Sequence, residues 1–174
     1  MRRLGAALGV EAMALYTHVR GKDDLLAAAG ALLLEELAVE PRERGDWRGR
    51  VEAVCSAWAA LRAAHPRAFP LVFRAEALLA VTEELMDALE TAGFAGAEAW
   101  LAYQTLVFFL DPPLLHWPPQ PPGEVWERVA ARRDAGTAPH LVRLAPHARA
   151  YAWDDVYANG VELFLDGLEA RLTR

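Results

Sequence analysis

Long helix-favouring runs are the feature of this chain that most restricts its fold. Stretches such as DLLAAAGALLLEELAVE and RVEAVCSAWAALRAAH consist mainly of alanine, leucine and glutamate, and their apolar residues recur three and four positions apart. Signals for β-strands are scarce. The pattern predicts an all-α protein with helices at about 2–8, 12–18, 23–38, 47–64, 82–92, 96–110, 123–133 and 152–172, and weaker helical turns near 67–79 and 140–148.

Glycine and proline interrupt these runs. Gly9 and Gly21 follow predicted helices and are expected to be left-handed C-caps. The longest irregular segment, DPPLLHWPPQPPG from Asp111 to Gly123, contains six prolines and cannot be helical throughout. It is either a mobile surface loop or a lid over a pocket, in which three side chains fold inward: Leu114, Leu115 and Trp117.

The composition excludes several classes of protein. With 54% hydrophobic and 24% charged residues, the chain of 174 residues can bury a core and is not disordered. No apolar run is long enough to span a membrane and no signal peptide is recognisable, so we expect a cytoplasmic protein without a membrane partner. The single cysteine, Cys55, cannot form an internal disulfide and is expected to be a small buried residue.

The patterns that enzymes use are also missing from the sequence. The five histidines and the one cysteine are not spaced as metal ligands, and neither G-x-G-x-x-G nor G-x-x-x-x-G-K occurs. Acidic pairs such as Asp23-Asp24 and Asp154-Asp155 stand where the first turn of a helix is expected. We therefore expect a protein that is not an enzyme and that needs no metal and no cofactor.

Residues 1–22 form a basic head on an acidic chain. Arg2, Arg3, Arg20 and Lys22 against Glu11 give this head a charge of +3, whereas the whole chain carries −6. The contrast suggests an anionic partner for the head.

The apolar pattern of the head is that of two short helices joined by a glycine turn. Gly9 stands where such a turn needs a positive φ, and only a helix of about two to three turns fits between Gly9 and Gly21. The larger apolar side chains are spaced to face one small core: Leu4, Leu8, Val10, Leu15 and Val19. DNA-binding proteins use this arrangement to place the second helix in the major groove.

Two later helices carry most of the apolar surface. The 96–110 helix is apolar on nearly every side, which predicts burial on all sides. The 152–172 helix has an apolar stripe, and Gly160 and Gly167 would allow a second helix to approach closely. These two helices either form the interface of a homodimer or pack within one chain, and the pattern leaves both open.

The stretch RRLGAALGVEAMALYTHVRGKDDLL resembles the DNA-binding region of the tetracycline repressor (TetR) family. It shares the L-G-V turn, the L-Y-x-H-V end of the second helix and the basic entry to a linking helix. The segment from Trp47 to Pro66 resembles the first helix of that family's ligand domain, and GVELFLDGLEARL resembles its closing dimer helix.

The resemblance implies two domains and a regulatory function. Residues 1–40 would be a partial helix-turn-helix DNA-binding domain with its linking helix, and residues 41–174 a multi-helix ligand-binding and dimerisation domain. The protein would bind operator DNA as a homodimer through the helices near 96–110 and 152–172. A small-molecule inducer would release a repressor of this kind by favouring a head spacing that misses the grooves.

The same resemblance assigns DNA contacts. Arg2 and Arg3 would touch phosphate or a guanine edge, and three residues would face the bases: Ala12, Met13 and Ala14. The expected phosphate contacts are Tyr16, Thr17, His18 and Lys22. Three of these have structural alternatives, since His18 could cap its helix, Tyr16 could be partly core and Lys22 could interact with a helix C-terminus. The base-facing side chains offer no hydrogen bonds, which leaves contacts with thymine methyl groups and Arg2 for readout.

Members of this family begin with a further helix that completes the core of the head. Only three residues precede Leu4, too few for that helix. We therefore expect low stability for residues 1–20 and weak DNA binding by this form. The alternative function is that of a helical interaction protein that no longer binds DNA.

Candidate ligand contacts follow from the resemblance and from the aromatic residues. His65 and Glu84 fall near polar contacts of the tetracycline-binding members, whereas their metal-binding histidine corresponds to Phe108, which argues against a magnesium–tetracycline complex. The expected ligand is flat and apolar or aromatic, with one or two polar anchors, held by His65, Glu84, Trp100, Tyr103, Gln104, Phe108 and Trp117. The alternative is that the aromatic residues are core and that His65 is a hydrogen-bond donor at a helix end.

Overall fold

The computed structural model describes residues 1–37, 39, 42–110, 121–132 and 136–173. Within these ranges every regular element is helical, so the predicted all-α fold class is confirmed. The α-helices are α1 (Arg2–Leu8), α2 (Ala12–Leu15), α3 (Lys22–Glu35), α4 (Trp47–Ala64), α5 (Leu78–Ala92), α6 (Ala97–Leu110), α7 (Pro122–Ala130), α8 (Pro139–Leu144) and α9 (Trp153–Leu172). Two 3₁₀ helices span Phe69–Arg74 and Ala145–Ala150.

Helix ends are where the structure departs from the sequence-based expectations. The second helix ends at Leu15 instead of residue 18, and α5 begins at Leu78 instead of residue 82. No side chain caps the start of α5, so the sequence carries no start signal there. The weaker turns predicted near 67–79 and 140–148 overlap the two 3₁₀ helices, and α8 occupies the first part of the second range.

The chain divides into two compact units, Met1–Ala95 and Gly96–Arg174. The predicted boundary near residue 40 is a functional one, between DNA-binding and ligand-binding domains, and stays a prediction. In the first unit, α3 packs on the 3₁₀ helix Phe69–Arg74, so the linking helix and the segments that follow it share one core.

The core of the first unit is built around α4. Val51, Val54, Cys55, Trp58 and Leu61 are all buried on α4, which packs against α5. Cys55 is buried, as the sequence predicts, and burial raises the pKa of its thiol to about 12. A thiol in this state is a packing residue and not a nucleophile.

Aromatic rings pack between α4 and the 3₁₀ helix Phe69–Arg74. The ring of Trp58 meets Phe69 edge-on, with 5.1 Å between centroids, and Phe73 with 6.0 Å between centroids. Trp58 and Phe69 are each only 4% exposed. The Nε1 group of Trp58 is buried, and no acceptor lies within hydrogen-bond distance among the described residues.

The backbone of α3 also approaches this 3₁₀ helix closely. Gly30 is buried at the contact, and a Cβ atom built on it would lie 2.1 Å from the carbonyl oxygen of Leu71. Only a glycine fits at this position, because the neighbouring atoms belong to the main chain and not to a flexible side chain.

In the second unit, α6 and α9 pack through aromatic residues. Phe109 stacks on Tyr157, with 5.9 Å between ring centroids, and Phe109 also covers Gly160. Gly160 therefore serves packing within the chain, whereas nothing lies within 4 Å of a Cβ built on Gly167. The predicted stripe of α9 is confirmed by burial of Tyr157, Val161, Leu165 and Leu168.

The expectation that the 96–110 helix is buried on all sides is wrong for a single chain. Ala99, Ala102, Leu106 and Leu110 are buried, but Trp100, Leu101 and Phe108 are 55%, 59% and 67% exposed. An apolar helix thus leaves one of its faces uncovered in the monomer. The proposed lid with Leu114, Leu115 and Trp117 lies outside the described residues.

None of the helices described has the length and apolar character that a membrane crossing requires.

Candidate functional site

The turn of the basic head has the predicted geometry. Gly9 ends α1 with φ 70° and ψ 25°, in the left-handed region that glycine favours. Gly5 is buried beneath this turn, where its missing Cβ would lie 2.7 Å from the carbonyl oxygen of Val10. The close contact between Gly5 and Val10 brings α1 and α2 together without a large side chain between them.

After α2 the chain continues through His18 in turns with 3₁₀-type hydrogen bonds. The N–H groups of Tyr16 and His18 donate to the carbonyls of Met13 and Leu15, both at 3.1 Å, in the i→i+3 pattern. Thr17 Oγ1 donates its proton to the carbonyl of Ala14 at 2.6 Å. In this rotamer Thr17 has no proton left for a phosphate oxygen, so its predicted phosphate contact requires the hydroxyl to turn.

The solvent-facing side of the head contains most of the predicted DNA contacts. Met13 is 71% exposed and Tyr16 is 47% exposed, whereas Ala12 is half-buried. The other predicted contacts are all exposed: Arg2, Arg3, Ala14, Thr17, His18 and Lys22. These side chains can therefore reach an external partner without a change of fold.

The predicted small core of the head is only partly formed. Leu8 is 60% exposed and Val10 is 44% exposed, while Leu4, Leu15 and Val19 are half-buried. Two helices of four and seven residues cannot enclose five apolar side chains, and Gly5 is the one buried residue among residues 1–20.

Gly21 is not the left-handed C-cap that the sequence suggests. Its φ of 173° is extended, and it is instead the N-cap of α3. Asp24 Oδ2 accepts a hydrogen bond of 2.8 Å from the N–H of Arg20, and Asp23 lies 3.3 Å from Arg74 Nη1. The acidic pair Asp23-Asp24 therefore fixes the start of the linking helix, as first-turn carboxylates are expected to do.

A cavity of about 880 Å³ lies within the first unit, beside the C-terminal half of α3. Leu34, Leu37, Val39, Val54 and Val81 provide much of its apolar lining, together with three alanines: Ala31, Ala77 and Ala80. Charged residues from α3, α4, α5 and the segment before α4 complete the lining: Glu35, Arg42, Arg44, Arg50, Glu84 and Asp87. This volume lies within the range of small-molecule sites, and the aliphatic residues supply an apolar wall beside the charged groups.

Arg50 is the buried ion of this cavity, with 8% of its side chain exposed. Its Nε donates to Glu84 Oε1 at 2.8 Å, and its Nη2 donates to Asp87 Oδ2 at 2.7 Å. Arg44 Nη2 reaches the other oxygen of Asp87 at 3.1 Å. The hydrogen bond from Arg50, with the nearby charge of Arg44, holds the pKa of the Asp87 carboxyl below its usual range.

Replacing Asp87 by asparagine is expected to reduce the acid sensitivity of the first unit. A carboxylate whose pKa is lowered by folding stabilises the protein fully above its ordinary pKa and loses this effect as pH falls through the lowered value. Below about pH 4 the free energy of unfolding should therefore fall more steeply in the wild type than in Asp87→Asn. Urea unfolding at a series of pH values measures the slope of the free energy of unfolding against pH for the wild type and for Asp87→Asn. Glu83→Gln on α5 is the matched control. Equal slopes for wild type and Asp87→Asn would contradict the assignment.

The predicted ligand residues do not all meet at this cavity. Glu84 lines the cavity, and its carboxylate is paired there with the guanidinium group of Arg50. His65 ends α4 and lies outside the lining, with its Nε2 at 2.7 Å from Glu36 Oε2. This contact matches the alternative interpretation of His65 as a hydrogen-bonding residue at a helix end.

The aromatic candidates lie on α6, in the second unit. Trp100, Gln104 and Phe108 are exposed, and Tyr103 is half-buried with its ring 5.8 Å from that of Trp100. Trp117 lies outside the described residues. Their role as ligand contacts stays a prediction.

Sequence reasoning missed Arg50, although a signal existed. Arg50 stands among the apolar residues Val51, Val54 and Trp58 on α4, and a cation within a buried stripe requires a partner. Glu84 and Asp87, three residues apart on α5, supply that partner. No group of three or more metal-ligating side chains occurs in the part of the chain that the structure describes.

Comparisons with known proteins agree on one family. Residues 40–172 match the family model described as "Tetracyclin repressor-like, C-terminal domain". The TetR family protein ActR of Streptomyces coelicolor, solved in complex with actinorhodin, has a TM-score of 0.79 at 24% identity, over 100% of this chain and 88% of ActR. The complex of ActR with (S)-DNPA gives 0.77 at 24% identity, over 97% of this chain and 86% of ActR.

A third solved structure is slightly more similar in sequence. A possible TetR family transcriptional regulator from Streptomyces coelicolor A3(2) has a TM-score of 0.71 at 28% identity, over 97% of this chain and 88% of its own. No curated protein sequence matches the chain significantly.

Proposed function

Because the chain belongs to the tetracycline repressor family of transcriptional regulators, we propose that it is a cytoplasmic repressor that binds operator DNA as a dimer and is released by a small inducer. The observation that carries the proposal is the basic head. Its second helix follows a left-handed glycine turn, exposed cations precede and follow that helix in the sequence, and Met13 on the helix is 71% exposed.

Exposed apolar side chains support the dimer. Trp100, Leu101 and Phe108 on α6 are more than half exposed, and so is Leu163 on α9, at 64%. Apolar surface of this size on two helices favours association with another protein surface. A second copy of the chain would cover both helices and would present two heads to successive half-sites.

The cavity supports the inducer. Ala31, Leu34 and Glu35 belong to α3, the helix that begins at Lys22 directly after the head. A molecule in the cavity therefore contacts the linking helix, and any difference in its affinity for two positions of α3 shifts the heads. ActR was solved with actinorhodin and with (S)-DNPA, and these are the first two compounds to test here.

DNA binding can be tested by fluorescence anisotropy with labelled DNA from upstream of the gene. We expect Lys22→Ala and Arg3→Ala each to weaken binding several-fold, and Lys22→Ala to reduce the slope of log affinity against log salt by about 1, since one phosphate contact is lost. Arg67→Ala removes an exposed cation outside the head and serves as the matched control.

Two results would contradict the repressor. One is equal affinity for the upstream DNA and for a random duplex of the same length. The other is no binding at all, even by a chain extended at its N-terminus with a further helix, which would favour the helical interaction protein instead.

A further inference from the structure

We propose that Arg50 is the polar anchor of the cavity, and that the cavity takes an uncharged, largely apolar molecule whose carbonyl-type oxygen accepts hydrogen bonds from Arg50. This deepens the proposed function, on which it rests for the biological meaning of the ligand but not for the binding itself.

The first argument is the number of donors on Arg50. A guanidinium group has five N–H donors. One on Nε goes to Glu84 and one on Nη2 goes to Asp87, while Nη1 makes a long contact of 3.5 Å to the carbonyl of Arg44. At least one N–H on Nη1 and one on Nη2 therefore have no acceptor in the described part of the chain. Since Arg50 is only 7% exposed and lines the cavity, the contents of the cavity are what can satisfy them.

The second argument is the charge balance of the lining. Among the described residues, three cations and three carboxylates line the cavity, so their formal charges cancel: Arg42, Arg44, Arg50, Glu35, Glu84 and Asp87. An anion on Arg50 would lie beside the carboxylates of Glu84 and Asp87, and a cation would be repelled by Arg50 itself. An uncharged acceptor avoids both repulsions and still binds the free donors.

The third argument is the remaining surface. The cavity measures about 880 Å³, and all the other lining side chains are aliphatic. Space of this size holds a drug-sized molecule, and a hydrogen bond from Arg50 fixes the orientation of a molecule that lies against the aliphatic lining. The chemical class is therefore an apolar or aromatic ketone, quinone, ester or amide.

Three naphthalene probes separate the features of this class. Prodan, 6-propionyl-2-(dimethylamino)naphthalene, is uncharged and has a ketone, and its emission moves to longer wavelength when the ketone accepts a hydrogen bond. 2-(Dimethylamino)naphthalene lacks the ketone, and 1-anilinonaphthalene-8-sulfonate is an anion. With the intact chain we expect prodan to bind about ten- to a hundredfold more tightly than the probe without the ketone, as a hydrogen bond from a charged donor implies.

Two variants locate this binding. Arg50→Lys keeps the charge and loses the planar fork, so we expect prodan affinity to fall to that of the ketone-free probe, whose own affinity changes less than about twofold. Ala80→Trp places a large side chain in the cavity from α5, changes no residue of the ion pairs and should abolish prodan binding. Ala63→Trp, at an exposed position of α4 outside the lining, is the matched control. Ala80→Trp keeps the test decisive if Arg50→Lys does not fold.

Several outcomes would overturn the proposal that Arg50 anchors the ligand. Equal affinities of the wild type for prodan and the ketone-free probe would do so, as would unchanged prodan binding in Ala80→Trp. Tighter binding of the anionic probe than of prodan would show that the ligand class is wrong. The probe titrations contain no DNA, so they test the role of Arg50 separately from the repressor function. If prodan does not bind as expected but operator DNA does, the proposed repressor function is unaffected. If operator DNA does not bind but prodan binds as expected, the proposed role of Arg50 is unaffected.

Discussion

Trp58→Ala is expected to lower the free energy of unfolding by about 4 kcal/mol, within the range measured for large aromatic side chains removed from protein cores. Trp58 is 4% exposed and packs edge-on against Phe69 and Phe73, so its loss leaves a cavity between α4 and the 3₁₀ helix Phe69–Arg74. Urea unfolding followed by circular dichroism measures the change.

Trp58→Phe is the matched variant, and we expect it to cost only about 1–2 kcal/mol. Phenylalanine keeps an aromatic edge toward Phe69 and removes the indole N–H. That N–H has no acceptor in the described part of the chain, so deleting it breaks no hydrogen bond and removes a buried unsatisfied donor. Equal losses for Trp58→Phe and Trp58→Ala would show that the N–H is a strong contributor and would refute this account.

Gly30→Ala is expected to destabilise the first unit by about 3 kcal/mol, at the upper end for one added methyl group in a packed site. The new Cβ would lie 2.1 Å from the carbonyl oxygen and 2.7 Å from the carbonyl carbon of Leu71. Both are main-chain atoms, so α3 must move away from the 3₁₀ helix by more than a side-chain adjustment. The intrinsic gain of alanine over glycine in a helix, about 1 kcal/mol, is too small to offset the clash.

Gly167→Ala makes the same substitution where there is space. Gly167 lies within α9, and nothing is within 4 Å of the added Cβ. Within a single chain only the helix preference acts, so we expect the monomer to gain about 0.5–1 kcal/mol in the free energy of unfolding. A similar response of the two glycine variants in urea would rule out close contact at Gly30.

Local chemistry explains which parts of this fold could be predicted from the sequence. The helices and the positive φ of Gly9 follow from spacing and from residue type at single positions. Gly21 was assigned wrongly because a glycine between two helices can end one or begin the next, and the carboxylate of Asp24 decides for the start of α3. The end of α2 depends on a change from i→i+4 to i→i+3 bonding that no residue type signals.

The candidate ligand site was harder to predict because its main contacts are distant in sequence. Arg50 meets partners 34 and 37 residues away, and only the packing of α4 against α5 brings them together. Aromatic residues on α6 attracted attention by their number, yet Trp100 and Phe108 are exposed. An apolar helix in a sequence can face a ligand, a core or a second chain, and residue type alone does not distinguish these.

The close contact between Gly30 and the main chain of Leu71 lies nearer to the C-terminal end of α3 than to its N-terminal end. Lys22 lies about 12 Å from this point along the axis and Glu35 about 7.5 Å, at 1.5 Å per residue. If α3 rotates as a rigid rod about this contact, its two ends move in opposite directions, and the ratio of their distances from the contact is about 1.6. A displacement at the cavity end would then be enlarged about 1.6-fold at Lys22, the end nearest the head.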